Sequence, residues 1–242
     1  MESVLESLTG KIAIVTGGTR GIGRAIAERL LREGAAVAIC GRSAETTSRA
    51  VAEMTGLGKI FGAAADVSDP AQVRAFFAEV DAQLGAIDIL VNNAGQGVFR
   101  RVGELSVEDW HRNIDLNLNG PFYCAHEALA RFQKRGGGFI VNISSLAAKN
   151  PFSGGAAYNA SKAGLNLFTE ALMLDHRYDN VRVSSIMPGS VDTEFGSGRH
   201  AGQAGLIIAP VDVAEAVALV LRIPGRTMIS RVEMRPSRPP KK

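Results

Sequence analysis

Short apolar segments of strand length alternate along the chain with longer segments of helical period. Several short segments, such as IAIV after Lys11 and IDILV after Ala86, are nearly all apolar. Strands without a polar face are typical of a parallel sheet that is covered by helices on both sides. The pattern predicts seven strands, at Ile12–Thr16, Ala36–Cys40, Ile60–Ala64, Ile87–Asn92, Gly138–Ile143, Arg182–Ile186 and Ile229–Met234.

The segments between these strands have the period of amphipathic helices. Asp69 precedes Pro70, which suits a first helical turn, and Ser106 is followed by Asp109, close to a capping box. This alternation predicts one doubly wound α/β domain whose ligands collect at the carboxyl ends of the strands. The predicted helices are Gly21–Arg32, Ala44–Met54, Pro70–Leu84, Val107–Leu116, Pro121–Lys134, Ala156–Arg177 and Val211–Leu221.

The composition fits one globular domain. The chain has 242 residues, of which 46% are hydrophobic and 21% are charged, and this usage excludes disordered and fibrous proteins. We expect the domain to span residues 1–234, with a substrate loop at about 190–210, and residues 235–242 to form a basic, proline-rich tail.

Charge and segment lengths exclude several functions. The net charge is +3, but residues 226–242 hold six basic residues and one acid, so the rest is mildly acidic. The tail is a solvated end or, alternatively, a polyanion contact, and we expect no nucleic-acid partner. The apolar runs are too short to span a membrane, and residues 1–10 lack the features of a secretory signal. We expect a cytoplasmic protein.

The two cysteines, Cys40 and Cys124, have the spacing of neither a disulfide framework nor a metal site. We interpret both as core thiols and expect no bound metal.

A glycine-rich turn, TGGTRGIG, joins the first strand to the first helix. The backbone of such a turn approaches a pyrophosphate closely, which a Cβ would obstruct, and the N–H groups of the following helix attract anions. The spacing is G-x-x-x-G-x-G, not the commoner dinucleotide fingerprint G-x-G-x-x-G. We predict a phosphate site made by Gly17, Thr19, Arg20, Gly21, Ile22 and Gly23.

The end of the second strand indicates which dinucleotide binds. An NAD site usually has an acid there for the adenosine ribose, whereas this chain has Cys40-Gly41-Arg42. Arg42 and Arg20 suit the 2′-phosphate of NADP(H), so we predict NADP(H) over NAD(H); alternatively, both are solvated surface arginines. Asp66 is a candidate acceptor for the adenine amino group or a turn cap.

Tyr158 and Lys162 lie four residues apart, and Tyr158 follows Ser145 by thirteen residues. Four residues place both side chains on one helix face, so the ammonium can lie near the phenol. A phenol with a pKa of about 10 is a poor acid or base at neutral pH. We expect Lys162, together with an oxidised nicotinamide, to lower the pKa of Tyr158.

Together these motifs resemble the short-chain dehydrogenase/reductase family. They are TGGTRGIG, NNAG at residues 92–95, Asn117, Ser145 and the Tyr158/Lys162 pair, in that order over nearly the whole chain. The likeness is to NADP(H)-dependent members such as 3-oxoacyl-acyl-carrier-protein reductases and carbonyl reductases. It implies a Rossmann-like sheet of seven strands and hydride transfer between nicotinamide C4 and a carbonyl or carbinol carbon.

The resemblance also implies a role for each matching residue. Tyr158 is the general acid or base, Ser145 hydrogen-bonds the same substrate oxygen, and Lys162 lowers the tyrosine pKa and holds the nicotinamide ribose. Asn117 fixes a water that links the lysine to solvent, and Ser144 is a bystander. Further cofactor contacts implied by the family are Val67, Asn93, Ala94, Gly95, Ile143, Pro188, Gly189 and Thr193.

The end of the chain, EMRPSRPPKK, departs from many bacterial members, which end in Val-Asp-Gly-Gly. Because that ending packs at an interface in many tetrameric relatives, we expect a homodimer more firmly than a homotetramer. The family dimer pairs the helix after Asn117 with the helix bearing Tyr158 across an isologous surface.

The substrate pocket is only weakly indicated by the sequence. The small residues of the substrate loop are typical of a lid. Candidates for an apolar pocket wall are Phe99, Phe152, Phe195, Leu206 and Ile207, and candidates for contact with a polar end of the substrate are Gln96 and Arg100. Ordinary packing in the protein explains each of these side chains equally well. Lys134 and Arg135 are candidates for an acyl-carrier contact or for a solvated helix end.

The sequence therefore predicts an NADP(H)-dependent oxidoreductase that interconverts a small-molecule ketone or aldehyde and its alcohol, with reduction as the expected direction. One alternative is a non-catalytic NADP(H)-binding sensor or scaffold protein. A sugar-nucleotide epimerase or dehydratase is less compatible with the chain length.

Overall fold

The computed structural model describes residues 5–195 and 207–238. Its strands are β1 Ile12–Thr16, β2 Ala36–Gly41, β3 Ile60–Ala64, β4 Ile89–Asn92, β5 Gly138–Ile143, β6 Val181–Pro188 and β7 Arg231–Met234. They form one parallel sheet in the order β3-β2-β1-β4-β5-β6-β7. The order reverses between β1 and β4, which opens a crevice at their carboxyl ends. The predicted doubly wound α/β fold is confirmed.

Seven α-helices connect the strands in the described residues: α1 Gly21–Arg32, α2 Ala44–Met54, α3 Pro70–Gln83, α4 Val107–Ile114, α5 Gly120–Arg135, α6 Ala156–His176 and α7 Pro210–Arg222. The side chain of Asp69 accepts a hydrogen bond from the Ala71 N–H at the start of α3, over 2.8 Å. Ser106 accepts one from the Asp109 N–H at the start of α4, over 3.0 Å. These caps satisfy N–H groups that a helix start leaves without partners.

Each face of the sheet is covered by its own core. On one face, Val15 packs with Ile26 of α1 and Val217 of α7. On the other face, Ile14 packs with Phe77 of α3 and Phe132 of α5. Adjacent residues of β1 thus point into different cores, which is why the strand has no polar face.

Two boundaries differ from the predictions in a way that affects the site. The fourth helix was predicted to reach Leu116, but α4 ends at Ile114 and a π-helical turn, Asp115–Asn119, joins it to α5. The sixth strand was predicted to end at Ile186, but β6 continues to Pro188 because Pro188 pairs with Met234 of β7. The π-helical turn and the extra residues of β6 contribute to the site described below.

Within residues 5–195 and 207–238, no helix combines the length and apolar character needed to cross a membrane.

Candidate active site

A cleft of about 1000 Å³ follows the carboxyl edge of the sheet. Of the residues predicted to act in catalysis or cofactor binding, all line this cleft except Asn117. Those that line it are Gly17, Thr19, Arg20, Gly21, Ile22, Gly23, Arg42, Asp66, Val67, Asn93, Ala94, Gly95, Ile143, Ser145, Tyr158, Lys162, Pro188, Gly189 and Thr193.

The glycine turn leaves its backbone bare at one end of this cleft. Gly17 has a φ of 64°, and a Cβ there would lie 2.9 Å from the Cα of Ala94. A Cβ on Gly23 would lie 2.2 Å from the carbonyl oxygen of Gly17. The start of α1 has no acid in its first turn and, unlike the start of α3, no side-chain cap. Its free N–H groups and bare backbone fit the pyrophosphate of a dinucleotide.

Thr16, at the end of β1, ties this turn to the loop after β4. Its Oγ1 accepts hydrogen bonds from the N–H groups of Asn93 and Ala94, each over 3.0 Å. The Asn93 side chain in turn donates to the carbonyl oxygen of Thr16 over 2.9 Å. The sequence prediction did not name Thr16 as a site residue, and the hydroxyl at the end of a buried apolar strand was the signal available for this positioning contact.

The adenosine end of the cleft carries exposed charges. Arg42 is exposed, and no hydrogen-bond or ionic partner of it lies in the described part of the chain. Arg20 instead forms an ion pair of 3.0 Å with Glu194, and both side chains are more than 70% exposed. Asp66 Oδ1 accepts from the N–H and Oγ of Ser68, so it caps the turn; an adenine contact stays a prediction.

Tyr158, Ser145 and Lys162 meet at the other end of the cleft. Burial raises the pKa of Tyr158, and a hydrogen bond with Ser145 partly opposes this. The Lys162 ammonium lies 5.9 Å from the centroid of the tyrosine ring and donates to the Ile143 carbonyl oxygen over 2.9 Å. Burial also lowers the pKa of Lys162 to about 8.

Loss of solvation of the phenolate is the larger influence on the pKa of Tyr158, and it raises that pKa. The predicted lowering requires an oxidised nicotinamide as well as Lys162, so it stays a prediction for the cofactor complex.

Asn117 lies behind the cleft wall, in the π-helical turn. Its Oδ1 accepts from the Gln96 N–H over 2.9 Å, and its Nδ2 donates to the Gln96 carbonyl and to Ser161 Oγ. A Cβ on Gly95 would lie 3.1 Å from Asn117 Oδ1 and 3.7 Å from the Lys162 ammonium. Asn117 and Lys162 therefore approach each other across Gly95, and π-helical turns are frequent at such functional positions.

Aromatic side chains surround the tyrosine. The ring of Tyr158 has centroids of Phe99 and Phe195 at 5.7 and 5.6 Å, and Phe152 lies 5.5 Å from Phe99. These three phenylalanines and Gln96 line the cleft as predicted. Arg100 and Ile207 are absent from its lining, and Leu206 lies outside the described residues.

Two arginines, Arg135 and Arg235, lie in places that the sequence did not indicate. Arg135 forms an ion pair of 2.8 Å with Asp88, next to the start of β4 and thus at the opposite edge of the sheet from the cleft. Arg235, which directly follows β7, lines the cleft and was missed by the sequence prediction. Its position depends on where the last strand ends, which local sequence does not show.

Ser144 Oγ donates a hydrogen bond to the Lys162 carbonyl oxygen over 3.3 Å, which is a structural contact.

Comparison with known proteins identifies the family to which the chain belongs. Residues 11–204 match the family described as short chain dehydrogenase. A 3β-hydroxysteroid dehydrogenase of Mediterraneibacter gnavus is 42% identical over 187 residues, which cover 76% of this chain and 67% of that protein.

Solved structures extend the likeness to the whole fold. A metagenomic short-chain oxidoreductase in complex with NADP superimposes with a TM-score of 0.84 at 36% identity, over 98% of this chain and 100% of that one. A 7α-hydroxysteroid dehydrogenase complexed with NADH and 7-oxo glycochenodeoxycholic acid has a TM-score of 0.90 at 26% identity, over 100% and 99%. The neighbours thus include both NADP and NADH complexes.

Proposed function

The chain belongs to the short-chain dehydrogenase/reductase family and is an oxidoreductase of CH–OH or C=O groups, and we propose that it uses NADP(H), with Tyr158 as general acid and base. The observation that carries the proposal is the meeting of Tyr158, Ser145 and Lys162 in one cleft with an uncapped glycine-turn helix. Similarity to 3-oxoacyl-carrier-protein and carbonyl reductases, and a cytoplasmic location, remain predictions.

The choice of NADP(H) rests on Arg42. Its guanidinium is exposed, lines the cleft and has no partner within the described residues, so it is available to a 2′-phosphate. Arg20 is a weaker contributor because Glu194 already holds it. The glycine turn, Asn93–Gly95 and residues 188–193 complete the surface that would hold the dinucleotide.

The reaction needs a proton at the substrate oxygen while the bound nicotinamide supplies or accepts a hydride. Tyr158 donates that proton in reduction and removes it in oxidation, and Ser145 hydrogen-bonds the same oxygen. Burial raises the pKa of Tyr158, so the phenol is protonated at neutral pH and can act as the proton donor in reduction. Lys162 stabilises the phenolate that remains after donation, and the resemblance to the family assigns to Asn117 a water that links the ammonium to solvent.

The test begins with a substrate screen. NADPH oxidation is followed with diketones, quinones, 3-oxoacyl thioesters, sugars and steroid ketones; hydroxysteroid dehydrogenases among the relatives make steroid ketones the first choice. With any accepted compound, Tyr158→Phe is expected to reduce kcat by at least about a thousandfold, because the donor is removed. NADPH affinity, measured by fluorescence titration, should change only a few-fold.

The matched control is Tyr178→Phe, which removes a hydroxyl from a tyrosine that is 91% exposed. Full turnover by the Tyr158 variant would exclude the proposed acid. A wild-type protein that binds NADPH and reduces no carbonyl compound would favour a sensor or scaffold protein.

We also propose assembly into a homodimer or homotetramer. Phe122 on α5, and Leu167 and Leu174 on α6, are 48%, 75% and 53% exposed. Such apolar exposure on two neighbouring helices suits an isologous interface. Light scattering of wild type and of Leu167→Asp tests this, and a wild-type monomer would contradict it.

A further inference from the structure

The substrate end of the cleft has an unusually aromatic wall. Phe99, Phe152 and Phe195 are 40%, 45% and 39% exposed, and all three line the cleft. The ring of Phe99 makes edge contacts with Phe152 and Tyr158, and the ring of Phe195 makes a tilted contact with Tyr158. Large aromatic surfaces that remain accessible beside a catalytic group are suited to a bulky apolar ligand, because such a ligand removes them from water.

Besides Lys162, a further cation lies at this same end of the cleft. Arg235 lines it together with Asn150 and Ser153, which belong to the segment between Ser145 and Tyr158. The tail is placed there by β7: Pro236 Cδ lies 3.3 Å from the position that a Cβ on Gly189 would occupy. The ending that distinguishes this chain from many relatives thus brings an arginine to the cleft.

Arg235 is too far from the adenosine end to serve the cofactor's 2′-phosphate. Arg42 follows β2 and Arg235 follows β7, and four strands lie between these two in the sheet. Five strand spacings correspond to about 24 Å. An anion bound by Arg235 therefore belongs to a different molecule, or a different group, from an anion bound by Arg42.

The charges around Arg235 leave it only partly neutralised. Its guanidinium lies 3.4 Å from Glu233, and the same carboxylate is also held by Lys149. Two cations thus share one carboxylate, which the bond from Lys149 keeps ionised by lowering its pKa. Three other acids line the cleft. Glu194 is paired with Arg20, Asp66 follows β3, and Asp192 follows β6.

We propose that the substrate is an apolar ring ketone or alcohol with a carboxylate remote from the reacting carbon, and that Arg235 binds this carboxylate. The aromatic wall takes the ring system while Tyr158 faces its oxygen. This inference rests on the proposed function, since it names the substrate class of the same site. Arg235 is then a specificity-determining residue and has no part in the chemical step.

The test compares acids with their neutral esters. The probes are a 3-oxocholanoic acid and the shorter 4-acetylbenzoic acid, each with its methyl ester, so that two distances between ketone and carboxylate are sampled. The readout is the acid-to-ester ratio of kcat/KM. For a probe that is not reduced, acid and ester are compared as inhibitors of the reduction of an accepted ketone, and the readout is the ratio of their inhibition constants.

We expect wild type to prefer one acid over its ester. Arg235→Gln should lower that ratio about three- to tenfold through KM, as for a charge-assisted contact that is partly exposed.

Two further variants separate binding from a general charge effect. Arg238→Gln removes the same charge from a tail residue outside the cleft lining and should leave the ratio unchanged. Glu233→Gln removes the competing carboxylate and should raise the ratio, which a merely structural role of Arg235 would not produce.

An equal ratio in wild type and Arg235→Gln, an equal fall in both arginine variants, or no preference for either acid would overturn the inference while leaving the proposed function intact. Failure of the proposed function is a separate result, namely that no carbonyl compound is reduced at all or that Tyr158→Phe retains full turnover.

Discussion

The two ends of the cleft are built on different physical principles. At the adenosine end, the ligand is expected to meet bare backbone from Gly17 to Gly23 and the exposed guanidinium of Arg42. At the catalytic end, Lys162 is 4% exposed and Asn117 is fully buried, and each is held by hydrogen bonds to the main chain.

This difference fits the role that we propose for each end. A phosphate can be recognised by exposed cations, because a charge-assisted hydrogen bond needs little burial to discriminate between ligands. Proton transfer needs groups held in place where water does not screen their fields. Burial provides that environment, but it also destabilises the charged forms of Tyr158 and Lys162. The following changes test this contrast.

The largest effect is expected where the glycine turn is most crowded. In Gly23→Ala, the new Cβ would lie 2.2 Å from the Gly17 carbonyl oxygen, so the turn must shift. We expect the free energy of unfolding to fall by about 3 kcal/mol or more, and NADPH affinity by at least about a hundredfold. Urea unfolding and fluorescence titration measure both. Gly56→Ala is the control, because a Cβ at Gly56 would meet nothing within 4 Å; equal behaviour of the two variants would refute the crowding argument.

Burial of Lys162 should appear in the pH dependence of stability. Its pKa is about 8 in the folded protein against an ordinary value of 10.5, so folding disfavours its proton. Wild-type stability therefore gains with pH between about 8 and 10.5, because the unfolded chain binds the proton more strongly. Lys162→Met lacks this gain.

The difference between the unfolding free energies of wild type and Lys162→Met should change by about 3 kcal/mol between pH 7 and 10.5, in favour of wild type at high pH. Urea unfolding across this range provides the measurement, with Lys59→Met as a control for net charge. A difference that does not vary with pH would show that the ammonium of Lys162 is solvated.

Arg42 should control cofactor choice without affecting the chemistry. Arg42→Asp is expected to shift the ratio of kcat/KM for NADPH over NADH about thirtyfold towards NADH, or about 2 kcal/mol, because a carboxylate repels the 2′-phosphate and accepts from ribose hydroxyls. Arg49→Asp makes the same charge change at an exposed position of α2 outside the cleft lining. Unchanged selectivity would mean that Arg42 serves only as a surface residue.

The smallest effect is expected at the ion pair between Arg20 and Glu194. Both side chains are well exposed, so the pair contributes little energy. Glu194→Gln frees Arg20 for the 2′-phosphate and should tighten NADPH binding about two- to threefold, an effect that high salt removes. Glu79→Gln, on the outer surface of α3, is the control. Weaker NADPH binding in Glu194→Gln would argue that the carboxylate positions the arginine.

Local sequence predicted the parts of the site that depend on spacing within one element. The turn from Gly17 to Gly23 lies between one strand and one helix, and Tyr158 and Lys162 share one helix face, so periodicity was sufficient. The strands of the sheet were predicted for the same reason, with errors at their ends. The predicted end of the fourth helix was wrong because a π-helical turn has no distinctive local pattern.

The sequence by itself indicated the family and the doubly wound fold and named the candidate reacting groups, because these depend on short-range spacing and on the alternation of apolar segments. Only the tertiary structure decided that Thr16 ties two loops together, that Glu194 holds Arg20, and that Arg235 reaches the cleft. It also decided that burial raises the pKa of Tyr158. Contacts between distant segments and the loss of solvent are properties of the packed molecule, and no local pattern contains them.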